Sequence, residues 1–244
     1  MVALRGLGAA AFAAAVTASV LRVAPAGAEP GATTTPSFLP LAGTDVWRDG
    51  LFLYGGVLWS PGGLDTDGFT LKLLLSGGGY KYFSNGLRMD VDGNMSSAAV
   101  LPGWRFTRDG ITIDLFAGPL VQDYRLTPND PGSWLHGFYG GGQFATDVWY
   151  QPDPATMIAL NGSVATIGPS GSLRAAAGAR LLDAFFFGPE TQGIWCTNYQ
   201  EVRFGFHVTG LRIQALEWSA ASGWEMEAHG RNGPYLRLGV TTHY

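Results

Sequence analysis

Along residues 39–244 apolar side chains return at every second position, and glycine or proline interrupts any window long enough to build a helix. Residues 201–209 show the pattern most plainly: Glu201, Arg203, Gly205, His207 and Thr209 share one face, Val202, Phe204, Phe206 and Val208 the other. Phe69, Leu71, Leu73 and Leu75 alternate with Thr70, Lys72, Leu74 and Ser76. Ile111, Ile113, Leu115 and Ala117 alternate with Thr112, Asp114, Phe116 and Gly118, and Leu173, Ala175, Ala177 and Ala179 with Arg174, Ala176, Gly178 and Arg180. A period of two places alternate residues on opposite faces of a strand. The chain is therefore all-β, and each strand has one oily face and one polar face.

Two architectures satisfy that pattern, a soluble antiparallel sandwich and a membrane barrel. Three features favour the barrel. A water-facing sheet surface is crowded with lysine and glutamate, yet the chain holds two lysines, Lys72 and Lys81, and its charged residues amount to 14%. The predicted strands run to about 10–17 residues, whereas globular strands peak near 5–6 and a tilted membrane-crossing strand needs about 9–11. Aromatic residues stand near predicted strand ends, at Trp59, Tyr80, Tyr82, Trp104, Tyr124, Trp149, Tyr150, Trp195 and Tyr199, as interfacial girdles require. A hydrophobic content of 46% excludes a disordered chain.

Asp-Gly pairs at 49–50, 67–68, 92–93 and 109–110 are candidate hairpin turns, joined by Gln151-Pro152-Asp153-Pro154, Leu182-Asp183 and the Thr209-Gly210 region. Strands are expected near 40–48, 50–60, 67–83, 92–106, 110–126, 133–150, 155–167, 171–182, 184–195, 199–210, 212–225 and 234–244. The expected fold is an antiparallel up-and-down transmembrane β-barrel of about 12 strands, with 10 as the alternative, because single-chain bacterial barrels have even strand numbers. The uncharged stretch 154–173 is broken by Asn161, Gly162, Gly168, Pro169 and Gly171 and reads as a hairpin, not a membrane helix.

Residues 1–28 differ in kind. Arg5 precedes an apolar stretch from Leu7 to Leu21, and Ala26-Gly27-Ala28 supplies a small-residue cleavage site, so this segment reads as a secretory signal peptide. Residues 29–38, rich in Thr, Pro and Gly, read as a periplasmic leader, and 39–244 as the barrel. Without its signal the chain carries thirteen basic and nineteen acidic groups, which argues against a nucleic-acid partner. The last ten residues place Leu236, Leu238, Val240, Thr242 and the terminal Tyr244 on one face. An apolar final strand ending in an aromatic resembles the outer-membrane insertion signal read by the barrel-assembly machinery.

Further segments carry a family resemblance. Arg48-Asp49-Gly50 leads into Tyr54-Gly55-Gly56, followed by Gly63-Leu64-Asp65-Thr66-Asp67-Gly68-Phe69 and Gly77-Gly78-Gly79-Tyr80-Lys81-Tyr82. Trp149-Tyr150-Gln151-Pro152, Gly188-Pro189-Glu190, His207-Val208-Thr209-Gly210-Leu211-Arg212 and Gly233-Pro234-Tyr235 come later. In order and spacing the chain resembles the bacterial cellulose biosynthesis protein BcsS family. The resemblance implies an exported outer-membrane protein tied to cellulose, an exopolysaccharide of biofilms. Its partners would be outer-membrane lipid, the barrel-assembly machinery, and a glucan chain or other cellulose-secretion components. It implies no catalytic residues.

If the oily face meets lipid, the other face lines a lumen. That places Lys72, Asp114, Gln143, Asp147, Asn161, Arg174, Arg180, Glu201, Arg203, His207, Arg212, Gln214, Arg237 and His243 inside, with both signs of charge present. Buried charges must be paired, so a mutually neutralised network filling a narrow barrel is expected ahead of a sugar-binding lumen in which Tyr139, Trp149 and Tyr235 would offer flat faces.

Catalytic signals are weak: there is no G-x-S-x-G elbow and no H-E-x-x-H. Ser133 with His136, and Ser222 with His229, are sequence neighbours read as loop decoration, and Glu225 with Glu227 as a solvated acidic loop. Asp65, Asp67, Asp90 and Asp92 lack calcium-loop spacing and read as turn residues, and Cys196 as an incidental thiol. No metal, cofactor or catalytic residue is expected; the alternatives are an outer-membrane hydrolase or acyltransferase acting on lipid or polysaccharide, and a structural surface barrel.

Overall fold

The computed structural model describes residues 37–196, 199–228 and 230–242. The expected signal peptide, most of the expected leader, His229, His243 and Tyr244 lie outside them. Among the described residues the regular structure is all strand: β1 (Phe38–Trp47), β2 (Gly50–Trp59), β3 (Gly68–Ser84), β4 (Met89–Arg108), β5 (Ile111–Thr127), β6 (Gly137–Asp153), β7 (Thr156–Ala165), β8 (Ser170–Leu181), β9 (Phe185–Cys196), β10 (Tyr199–Ile213), β11 (Leu216–Glu227) and β12 (Gly233–Thr242). Each strand pairs antiparallel with its sequence neighbours, and β12 pairs with β1 to close a twelve-stranded barrel. Closure leaves no strand edge exposed, the condition for sheet structure in a membrane.

The alternation read from the sequence sets which way each side chain points. Glu201, Arg203, His207 and Thr209 are buried inside, while Val202, Phe204 and Phe206 are exposed on the outer wall. Leu73 and Leu75, Leu115, Leu173, Leu236 and Leu238 also face out. From Ile111 to Val121 the outward face of β5 is apolar, which at ~3.3 Å per residue and ~40° of tilt gives a band ~25 Å tall, the thickness a bilayer asks of a barrel. The exterior is a hydrocarbon-facing surface.

The start of β1 and the end of β12 lie at one mouth, here the terminal end; the other is the far end. The Asp109-Gly110 turn holds both residues at positive φ, 44° and 81°, as a two-residue hairpin demands. Two expected connections are corrected. Asp92-Gly93 lies inside β4, and the chain turns at residues 85–88 instead. Gly93 is there because the Tyr80 ring packs against its α-carbon, where a Cβ would collide. Thr209-Gly210 likewise lies inside β10, as a bulge: Val208 pairs with Ala220 but Leu211 with Trp218, and Gly210 takes φ 78°. The reversal comes later, at Gln214 and Ala215, so Gln214, expected inside, stands exposed in a turn.

The aromatic girdle is also smaller than expected. Trp104, Tyr150 and Trp195 face out, but Tyr80, Tyr82, Tyr124, Trp149 and Tyr199 are buried in the interior. Position near a strand end does not determine face; parity within the strand does.

The interior is filled. Towards the far end it is an aromatic and aliphatic core of Phe52, Tyr80, Tyr82, Val91, Met95, Tyr124 and Tyr199, with Tyr80 stacked on Tyr82 at 6.2 Å. The loop at 128–136 tucks Asp130, Ser133 and Leu135 into that mouth, and Tyr82 donates a hydrogen bond to Asp130 at 3.0 Å. At the terminal end the loop at 60–67 buries Leu64, whose carbonyl accepts from Arg105 Nη1 at 2.6 Å.

Candidate functional site

The polar residues of the lumen gather in a belt beside the aromatic and aliphatic core. On β10, Arg203 Nη1 bonds both carboxylate oxygens of Asp45 on β1 at 2.8 Å, Nε bonds Glu201, and Nη2 lies 3.4 Å from Glu225 on β11. Its guanidinium sits between the rings of Trp47 and Tyr235, 5.3 and 5.2 Å from their centroids. Glu201 also accepts from Tyr199. Three strand positions separate β10 from β1, a quarter of the ring, so this contact cuts across the lumen as a chord.

A second chain of contacts crosses it as well. Lys72 on β3 pairs with Asp147 on β6 and lies 4.3 Å from the centre of the Phe116 ring. Asp147 accepts from Asn161 on β7 at 2.9 Å, and Asn161 in turn accepts from Arg174 on β8 at 3.2 Å. Arg174 holds Glu190 on β9 with Nε and Nη2 at 3.0 and 2.7 Å. Glu190 accepts from Tyr235 at 2.9 Å and from Arg237 at 2.7 Å, both on β12, and Arg237 reaches Gln192 at 2.9 Å. Nearer the terminal end, Arg105 and Asp114 form a two-bond pair at 2.7 and 2.5 Å. A charge in such surroundings is tolerable only when paired and hydrogen-bonded. All of these pairs meet that condition, and Arg203–Asp45, Lys72–Asp147 and Arg237–Glu190, which join strands three places apart, brace the wall across the lumen.

Among the described residues, two small cavities adjoin the belt. A cavity of about 30 Å³ lies among Tyr54, Ser76, Ser97, Gln122, Gln143 and Ser170, and one of about 10 Å³ beside Arg174 and Arg237. Spaces of this size take water, not a sugar chain.

Of the lumen residues expected from the sequence, Lys72, Asp114, Asp147, Asn161, Arg174, Glu201, Arg203, His207 and Arg237 point inward, and Gln143 lines the larger cavity. His207 is held between Thr209 Oγ1 at 3.0 Å and the Ala177 carbonyl at 3.2 Å. Arg180 and Arg212 stand apart from the belt, at the terminal rim. Arg180 donates to the Pro154 carbonyl at 2.6 Å and lies over Phe186, while Arg212 pairs with Glu217 at 3.7 Å. Asp45, Arg105, Glu190 and Gln192 belong to the lumen but were missing from the expected set. Glu225, expected in a solvated loop, is a buried partner of Arg203. Glu190 was within reach, because Phe186, Gly188, Glu190, Gln192 and Ile194 alternate with their neighbours.

The other candidates separate. Ser133 Oγ donates to the Leu135 carbonyl, and His136 Nδ1 faces the Ser133 carbonyl, not its hydroxyl. Ser222 donates to the Tyr235 carbonyl. Asp65 and Asp67 lie at the terminal end and Asp90 and Asp92 towards the far end, so they cannot share an ion. Cys196 is a buried member of the interior core. Leu236 and Leu238 of the expected insertion signal are exposed on the outer face of β12 with Val240 half-buried beside them.

An apolar exterior around a closed, internally braced sheet defines a transmembrane β-barrel with a filled bore. The Bordetella autotransporter BrkA β domain has the same fold, with a TM-score of 0.52 at 11% identity over 86% of this chain and 100% of that one. The KdgM porin in complex with disordered oligogalacturonate matches at a TM-score of 0.46 and 11% identity, covering 84% of this chain and 99% of that one. No curated protein matches the chain in sequence. The family is settled by the sequence itself: residues 40–244 match the cellulose biosynthesis protein BcsS family, and the chain belongs to it.

Proposed function

We propose that this protein is a non-catalytic accessory of cellulose biosynthesis or secretion, exported by its N-terminal signal and inserted into the bacterial outer membrane by the barrel-assembly machinery. It acts from its walls and rims and is not a conduit for glucan. The observation that carries this reading is the double set of cross-bore contacts, Arg203 to Asp45 and Arg237 to Glu190, in a lumen whose mouths are occupied by the loops at 60–67 and 128–136. Passage of a polysaccharide would require several buried ion pairs to open together, each costing a few kcal/mol. A non-catalytic role is supported by hydroxyl groups that are spent on backbone carbonyls at Ser133 and Ser222.

The test has two arms. In planar bilayers the purified protein is expected to give no stable open-pore conductance; a steady large conductance would overturn the closed-barrel reading. Deleting the gene is expected to lower secreted cellulose, restored by the intact gene. Unchanged cellulose would end the accessory role. A turnover activity abolished by His136→Ala or Glu225→Gln, with the barrel still assembled, would make it an enzyme.

A further inference from the structure

On the outer wall the rows of paired residues across β3, β4 and β5 change character abruptly. The row Leu75, Ala98, Val121 is apolar; the next outward row towards the far end is Gly77, Ser96, Asp123, and the one beyond it Gly79, Asn94, Arg125. These six residues, together with Gly78 and Met95, line an open groove of about 430 Å³, within the ~300–1,000 Å³ of clefts that hold small molecules. Gly77 and Gly79 supply a floor without side chains. Phe138 on β6 stands opposite Asp123 in register, on the same face and 71% exposed. A bare ring at the edge of a polar groove offers a flat apolar face to a ligand that has one of its own.

The electrostatics narrow the ligand's chemistry. Arg125 bonds Asp123 at 2.9 Å, and Lys81, one row further on, pairs with Asp92 at 3.4 Å. Each cation is matched by a carboxylate, so a phosphate group would find no uncompensated positive charge. The amide of Asn94, the hydroxyl of Ser96 and the Arg125–Asp123 pair instead offer donors and acceptors in equal measure, the mixture that hydroxyl groups need. Across β3 to β6, at ~4.8 Å per strand, the surface extends ~15 Å, long enough for more than one ring of a linear chain.

We propose that this groove binds a neutral β-glucan chain, its ring faces against Phe138 and its hydroxyls against Asn94, Ser96, Asp123 and Arg125. The proposal rests on the cellulose-accessory reading and adds the place of contact, on the outer wall just beyond the apolar band.

The test uses the full barrel in detergent micelles with cellohexaose as ligand, titrated by calorimetry. Gly79→Leu fills the groove: a Cβ there meets only Asn94 Oδ1 at 3.3 Å and the Gly93 carbonyl oxygen at 3.7 Å, so the wall tolerates it. Phe138→Ala removes the ring. Both variants are expected to keep heat-modifiable gel mobility and to lose cellohexaose affinity at least tenfold. Absent binding by the parent protein, or equal binding by folded variants, would overturn the groove. So would binding of purified lipopolysaccharide, in place of cellohexaose, that the variants lose. If deletion of the gene lowers secreted cellulose while both variants bind normally, the groove fails and the accessory role stands. If deletion changes nothing, the accessory role itself fails whatever the titration shows.

Discussion

The two sides of the barrel wall are built to different specifications. From β7 round to β2 the strands have 10–15 residues, and their outward faces are predominantly apolar, as with Val202, Phe204, Phe206 and Ile213 on β10. From β3 to β6 they have 17–20 residues, and the continuous oily band covers only the part nearer the terminal end; the remainder presents Gly77, Ser96, Asn94, Asp123 and Arg125, with Phe83 and Phe138 exposed among them. A strand that only crosses hydrocarbon needs about 9–11 residues. The extra length on one side is surface made for water and for what is dissolved in it, while the short side serves the bilayer alone.

Substitutions can break or sharpen that contrast. The largest effect is expected inside the short side, at the brace: Arg203→Met strands Glu201, Asp45 and Glu225 without their shared cation and should cost about 3–5 kcal/mol, read as a lower urea midpoint or failed assembly in micelles. Next comes a direct comparison of the two outer walls. Phe206→Lys places a charge in the apolar band and should cost ~2–4 kcal/mol, whereas Ser96→Lys in the polar rows of the long side should stay within ~0.5 kcal/mol in the same refolding assay. Equal costs would erase the distinction. A modest effect is expected at Arg231, in the loop between β11 and β12, which bonds Asp49 at 2.9 and 3.0 Å and Asp90 at 3.1 Å. The bonds to Asp49 raise this guanidinium above arginine's ordinary pKa, yet the site is close to water, so Arg231→Ala should cost no more than ~1 kcal/mol.

Much of this was legible in the sequence because a period of two is a local property. The faces of β10, β5 and β8 follow from alternation alone, and the Asp109-Gly110 turn from the φ it requires. Asp92-Gly93 misled because the same dipeptide also suits a strand in which an aromatic ring needs a bare α-carbon. Tyr80 and Tyr124 misled because closeness to a strand end says nothing of inside or outside. The pairing partners were beyond reach for a different reason. Glu190 and Arg237 meet only because twelve strands close with a particular stagger, and that is a property of the whole ring. The groove escaped notice because its residues come from four strands, and Gly77 to Gly79 read simply as curvature until Ser96, Asp123 and Phe138 stood beside them.

The bulge at Gly210 has a sharper meaning for inheritance of this fold. Before it, odd-numbered residues of β10 look inward; after it, even-numbered ones do, which is how Arg203 and Arg212 come to share a side. Deleting that single glycine codon would therefore leave Arg212 facing in and Ile213 facing out on a straightened strand, whereas flattening the bulge with the residue retained would turn the strand's last few residues inside out, presenting Arg212 to hydrocarbon and Ile213 to the channel side.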